Sequence, residues 1–228
     1  MKPYLNVGPL MWKRGRSYPN VFFSGIMALI TVVIGYAFIL LGSQFNLVTL
    51  LLPFSYLILG FLIKYGDQAY DEGLFSRRKA LLLAFPSGIL LGSLMALDSG
   101  TATIAIGLLF SLLLAGKYDN YGFVAGFIIS ISISIVAILH GLGSPHMGGI
   151  LLVGAASYID EWADDRAEGW ANMFACLLRQ RPFLKIMVLA LCITGILDSY
   201  LYFFIFLSFD FGYSFMGELS QMVVKPVA

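Results

Sequence analysis

The stretch VFFSGIMALITVVIGYAFILL, residues 21–41, runs for 21 positions without a charged side chain. A helix needs about 20 mostly apolar residues to cross the hydrocarbon core of a bilayer, where every backbone polar group must be satisfied within the segment. This stretch meets that requirement alone. It is longer than the core of a signal peptide, and about 20 mixed residues precede it, so a retained helix is expected.

Six further stretches are predominantly apolar: residues 47–63, 80–97, 101–115, 122–139, 147–159 and 183–209. The one at 101–115 is short. So is the one at 147–159, which is expected to begin in the Gly143-Ser144-Pro145 turn and to run past Asp160 into the interface. None alternates as strands do, which argues against a barrel. Composition agrees: 59% of the 228 residues are apolar and only 12% charged, where soluble domains average about 25%. The expected fold is therefore an all-α, polytopic transmembrane helix bundle of about seven spans. Residues 1–20 form an N-terminal segment, 21–209 the bundle and 210–228 a C-terminal tail.

Lys and Arg in the loops set the orientation of a membrane protein. Counted over these loops, 13 of the 14 basic residues fall on one side, and only Lys225 falls on the other. That places the N-terminus in the cytoplasm and the tail outside, in a multi-pass protein expected in the cell membrane. A formal net charge of +1 and the lack of a basic stripe argue against nucleic acid, and none is expected as a partner. Cys176 and Cys192 have no C-x-x-C partner, so neither a disulfide framework nor a zinc knuckle is expected.

The acids carry the most specific pattern. Tyr65-Gly66-Asp67-Gln68-Ala69-Tyr70-Asp71-Glu72 and Tyr158-Ile159-Asp160-Glu161-Trp162-Ala163-Asp164-Asp165 both read Y-x-D-x-x-x-D-acid, each at the cytoplasmic end of an apolar stretch. Each is followed by basic residues: Arg77, Arg78 and Lys79 in the first case, Arg166 and later Arg179 and Arg181 in the second. On a helix, D-x-x-x-D stacks two carboxylates one turn apart, and their repulsion is relieved by a cation between them. Hard oxygen ligands of this kind suit Mg²⁺ bridging to phosphate. Nearby Arg and Lys would stabilise a departing diphosphate, and an apolar space between the helices would take a hydrocarbon chain. The competing reading is that these are solvated loop acids balancing loop bases.

Paired D-x-x-x-D motifs after the second and sixth helices resemble the UbiA-type intramembrane prenyltransferase superfamily. The run Asp160-Glu161-Trp162-Ala163-Asp164-Asp165-Arg166-Ala167-Glu168-Gly169 resembles that family's second acidic motif, and Arg77 through Pro86-Ser87-Gly88 loosely resembles its Arg…Pro-Ser-Gly. The resemblance covers roughly residues 20–185. It implies Mg²⁺-dependent transfer of a prenyl group from a prenyl diphosphate to a lipophilic acceptor. Asp67, Asp71, Asp160 and Asp164 are then the catalytic metal ligands, with Glu72 and Asp165 beside them. Arg77, Arg78, Lys79, Lys117 and Arg166 are expected at the diphosphate. Expected partners are membrane lipids and an isoprenoid or lipid diphosphate, with a homo-oligomer left open.

Asp198 falls near the middle of the stretch 183–209. An ionisable group at that depth usually faces the bundle interior, where it would be a substrate contact or the proton or cation site of a transporter or channel. Asp98 is expected to cap the helix that follows it. His140 and His146 are read as loop residues, because no acid stands beside them to complete a metal site. Gly88-x-x-x-Gly92 and Gly122-x-x-x-Gly126 permit close helix packing.

Overall fold

The structure is a computed structural model and describes residues 18–42, 45–118, 120–167, 178 and 180–223. Eight helices are present among the described residues: α1 (Tyr18–Leu41), α2 (Leu47–Tyr70), α3 (Arg77–Leu97), α4 (Ser99–Leu114), α5 (Tyr121–Leu139), α6 (Met147–Ala167), α7 (Pro182–Ile193) and α8 (Leu201–Val223). No strand occurs among them. Residues 21–41 of α1, together with α2, α3 and α5, are long and apolar enough to cross a bilayer, while α4 and α7 are apolar but shorter. Leu82, Leu151 and Ile186 point outward and are 65–70% exposed, as lipid-facing side chains of a membrane-embedded bundle are.

Local chemistry sets the helix starts. Asn46 accepts a hydrogen bond from the Thr49 amide at 2.8 Å while Thr49 Oγ1 accepts from the Asn46 amide, a reciprocal capping box at the head of α2. Asp98 caps α4 as its sequence position suggests, with Oδ2 accepting from the Thr101 amide at 2.6 Å. Asn120 caps α5 in the same way.

Close packing follows the small residues. α8 lies lengthwise against α1 and α2, α3 against α5, and α4 against α6. A methyl group on Gly60 would sit 2.3 Å from the Phe209 carbonyl oxygen, so α2 and α8 meet backbone to backbone. One on Gly88 would sit 2.8 Å from the Gly126 carbonyl oxygen, which is the approach that the paired glycine motifs permit. Ser111 donates to Ser157 at 2.6 Å between α4 and α6, and Ser208 donates to Thr31 at 3.1 Å between α8 and α1.

The stretch 183–209 is not one span, as hydropathy suggested. α7 ends at Ile193, Gly195 takes φ +74°, and the Leu197 amide closes onto the Leu191 carbonyl at 3.0 Å. Glycine enters that left-handed region without a Cβ penalty, and so it stops the helix. The chain then reverses into α8, which continues past Phe209 to Val223.

The acids in the segment expected to be a tail have partners within the bundle. Asp210 pairs with Lys185 at 2.8 Å, and Glu218 accepts from Ser24 at 2.9 Å. Residues 210–223 are therefore part of the bundle, not a tail at the far end. They lie at the same end as Asp67, Gln68 and Ser24. Lys225 is outside the described residues.

Candidate functional site

A cavity of about 330 Å³ runs between α2, α3, α4, α6 and α8. Its walls on α2 are Tyr56, Leu59, Ile63, Asp67 and Asp71, a helical stripe that is aromatic and aliphatic at one end and acidic at the other. Ile104, Leu108 and Leu112 continue the apolar wall on α4, and Phe206 and Phe209 continue it on α8. The charged end collects Asp67, Asp71, Lys117, Glu161, Asp164, Arg181 and Tyr213. Both acidic motifs therefore open onto one cavity.

The phenol of Tyr213 donates to Asp67 Oδ2 across α2 and α8. Lys64 Nζ stands 4.7 Å from the centre of the same ring, and the Arg181 guanidinium stands 5.8 Å from it. Arg181 also donates to Glu161 Oε1 at 2.8 Å, from a backbone held in the left-handed region at φ 52°. Burial opposes the Arg181 charge, but Glu161 leads the surrounding groups that favour it, and the balance keeps this guanidinium above its ordinary value.

Lys117 projects from the turn between α4 and α5, where Gly116 takes φ +70°. Its Nζ lies 2.8 Å from Asp165 and 3.8 Å from Glu161. The hydrogen bond to Asp165 holds the Lys117 ammonium above the usual lysine range. Glu161 thus sits between the two cations that line the cavity. Each cation brings in a segment outside the two motifs: the α4–α5 turn through Lys117 and the head of α7 through Arg181.

The second motif is rotated from the expected orientation. Asp160 does not line the cavity. Its two carboxylate oxygens accept from the Phe183 and Leu184 amides at 3.1 and 2.7 Å, so it caps α7 from a neighbouring helix. Glu161 and Asp164 line the cavity; Glu161 stands about 100° round the helix from Asp160, which is turned toward α7. Asp165 lies on the rim with Lys117. Glu72 is exposed outside the lining.

The basic residues after the motifs also stand elsewhere. Arg77, Arg78 and Lys79 are exposed at the head of α3 and do not line the cavity, and Arg77 Nη2 donates to the Tyr70 carbonyl. Arg166 stacks on Trp162, 4.1 Å from its ring centre. Asp198, expected in mid-span, is exposed on the turn between α7 and α8. His146 accepts from the Gly149 amide at 3.0 Å, a loop role as expected. Asp119, Glu168, Cys176 and Arg179 lie outside the described residues.

Three cavity residues escaped the sequence pattern. Glu161 lies inside the motif but off its D-x-x-x-D register. Arg181 was visible only as one of several downstream bases. Tyr213 lies beyond the expected end of the bundle; the available signal was the aromatic spacing Phe206, Phe209, Tyr213, which continues one helical face past Asp210.

Among the described residues, no three acidic, His or Cys side chains stand close enough to form a metal cage by themselves. The donors at the mouth are hard carboxylate oxygens. They match the demands of Mg²⁺, which is commonly held by one or two carboxylates together with water and substrate phosphate. Comparison of the chain with protein-family models, curated proteins and solved structures gives no match.

Proposed function

We propose that this chain is an integral, multi-pass membrane enzyme that binds a prenyl or lipid-linked diphosphate with Mg²⁺ and transfers the prenyl group to a lipophilic acceptor. The observation that carries this reading is the single cavity whose charged end is lined by both acidic motifs and whose depth is lined by aliphatic and aromatic side chains. Such a space fits an amphiphile with an anionic head. Four carboxylates, Asp67, Asp71, Glu161 and Asp164, face it against two cations, Lys117 and Arg181. An anion alone meets net repulsion there, and a divalent cation cancels it.

One or two of Asp67, Asp71 and Asp164, together with water and substrate phosphate, would hold the Mg²⁺, which would supply charge neutralisation to the diphosphate when bound. Lys117 and Arg181 reach the same mouth and favour the negative charge that develops as the allylic C–O bond breaks and diphosphate leaves. The acceptor atom bonds to the freed prenyl carbon and gives up a proton. The apolar walls keep water from capturing that carbon first.

The distribution of basic residues favours a cytoplasmic N-terminus, with the cavity mouth facing the cytoplasm of the cell membrane. Asp198, on which a transporter reading would rest, is exposed on the turn between α7 and α8 and does not line this cavity, which favours the diphosphate reading. Titration of farnesyl diphosphate into the protein in nanodiscs tests the proposal. Binding is expected to need Mg²⁺, to be competed by pyrophosphate, and to be lost in Asp67→Asn and Asp164→Asn. Equal binding in EDTA and in both variants would overturn it.

A further inference from the structure

We infer that Tyr56 is the stop that limits the hydrocarbon chain admitted to the cavity, at about three isoprene units. This inference rests on the diphosphate reading above and adds the chain class of the donor.

Helix α2 acts as a scale along the cavity. Its lining residues Tyr56, Leu59, Ile63, Asp67 and Asp71 recur at helical spacing, so Tyr56 is the deepest of them and Asp67 stands at the mouth. Eleven positions separate these two in the sequence. At a rise of about 1.5 Å per residue they are roughly 16 Å apart along the axis. An extended chain advances about 1.2 Å per bond, since three backbone bonds span about 3.6 Å in a peptide. The interval therefore holds a main chain of roughly a dozen carbons, the length of three isoprene units.

The floor is bulky, and the ground beneath it is polar. Tyr56 is only 5% exposed. Behind it, Tyr202 donates to Asp98 Oδ1 at 2.9 Å, while Asp98 Oδ2 accepts from the Thr101 amide. The Tyr202 ring presses on Gly100, where a Cβ would lie 2.2 Å from it, so this plug has no slack. The hydroxyls of Tyr56 and Thr101 are buried beside one another at the same floor. A hydrocarbon tail that reaches the floor meets the packed Tyr56 ring first, and on the side of Tyr202 a buried carboxylate that it cannot solvate. Both raise its free energy. Next on α2 comes Leu52, fully buried, so a smaller side chain at position 56 opens onto apolar contacts on that side.

Binding of geranyl, farnesyl and geranylgeranyl diphosphates to the full chain in nanodiscs with Mg²⁺ tests the inference. The wild type is expected to bind the first two and to bind geranylgeranyl diphosphate at least ~10-fold more weakly. Tyr56→Ala, or Tyr56→Leu if the alanine variant does not fold, is expected to remove that discrimination. Tyr56→Phe keeps the ring and is expected to retain it. Equal wild-type binding of the two longer donors overturns the stop alone, as does a folded Tyr56→Ala or Tyr56→Leu with unchanged preference. Binding of none of the three overturns the diphosphate reading and this inference with it.

Discussion

Tyr213 on α8 donates a hydrogen bond to Asp67 on α2, joining two residues 146 positions apart at the mouth of the cavity. The bond explains why α8 runs on through residues that hydropathy reads as a polar tail. The chain end supplies a donor to a carboxylate that is otherwise largely enclosed. It also commits one carboxylate oxygen of Asp67, Oδ2, to the protein.

Tyr213→Phe removes that donor and keeps the ring. Leaving a partly buried carboxylate short of one hydrogen bond costs about 1–3 kcal/mol. The variant is expected to melt at a lower temperature and, under the proposed function, to need more Mg²⁺ for half-maximal farnesyl diphosphate binding, because Asp67 is no longer held in place. An unchanged melting temperature and an unchanged Mg²⁺ titration would show that the bond does not position Asp67.

Asp160 and Asp164 are the first and last residues of one D-x-x-x-D, but Asp160 caps α7 while Asp164 lines the cavity, and under the proposed function their substitutions separate. Asp160→Ala strips the amide acceptors from the head of α7 and is expected to destabilise the protein by about 1–2 kcal/mol, the usual cost of a lost cap. Asp160→Asn, with one acceptor oxygen, recovers part of that. The folded fraction of either variant is expected to bind farnesyl diphosphate as the wild type does, in contrast to Asp164→Asn. Thermal denaturation followed by binding at a temperature where each variant is folded separates the two roles.

Lys117 gives a pH signature. The hydrogen bond to Asp165 raises its pKa in the folded protein above the unfolded value. The stabilisation is therefore fully present below the ordinary lysine value of about 10.4 and is lost as pH rises through the folded value. Melting temperatures measured from pH 8 to pH 12 are expected to fall more steeply at the alkaline end in the wild type than in Lys117→Met. Parallel curves for the two proteins would remove Lys117 as a source of that slope. Because more than a third of the Lys117 side chain is exposed, high salt is expected to reduce the difference.

The sequence by itself determined that this is an all-helical protein with apolar helices fit for a bilayer. Long uncharged runs have no other way to satisfy their backbone. It also determined that Asp98 heads a helix and that two Y-x-D-x-x-x-D segments lie at helix ends, because caps and i, i+4 spacing are local properties. Only the tertiary structure decided that residues 183–209 break into a hairpin. Window hydropathy averages over Gly195, whose left-handed backbone is what stops α7. Only the fold decided that Glu161 faces the cavity while Asp160 caps α7, since that depends on the rotation of α6 against its neighbours. Tyr213 reaches Asp67 for the same reason: hydropathy marks where a helix can lie, but which side chains meet is set by how helices distant in sequence turn toward one another.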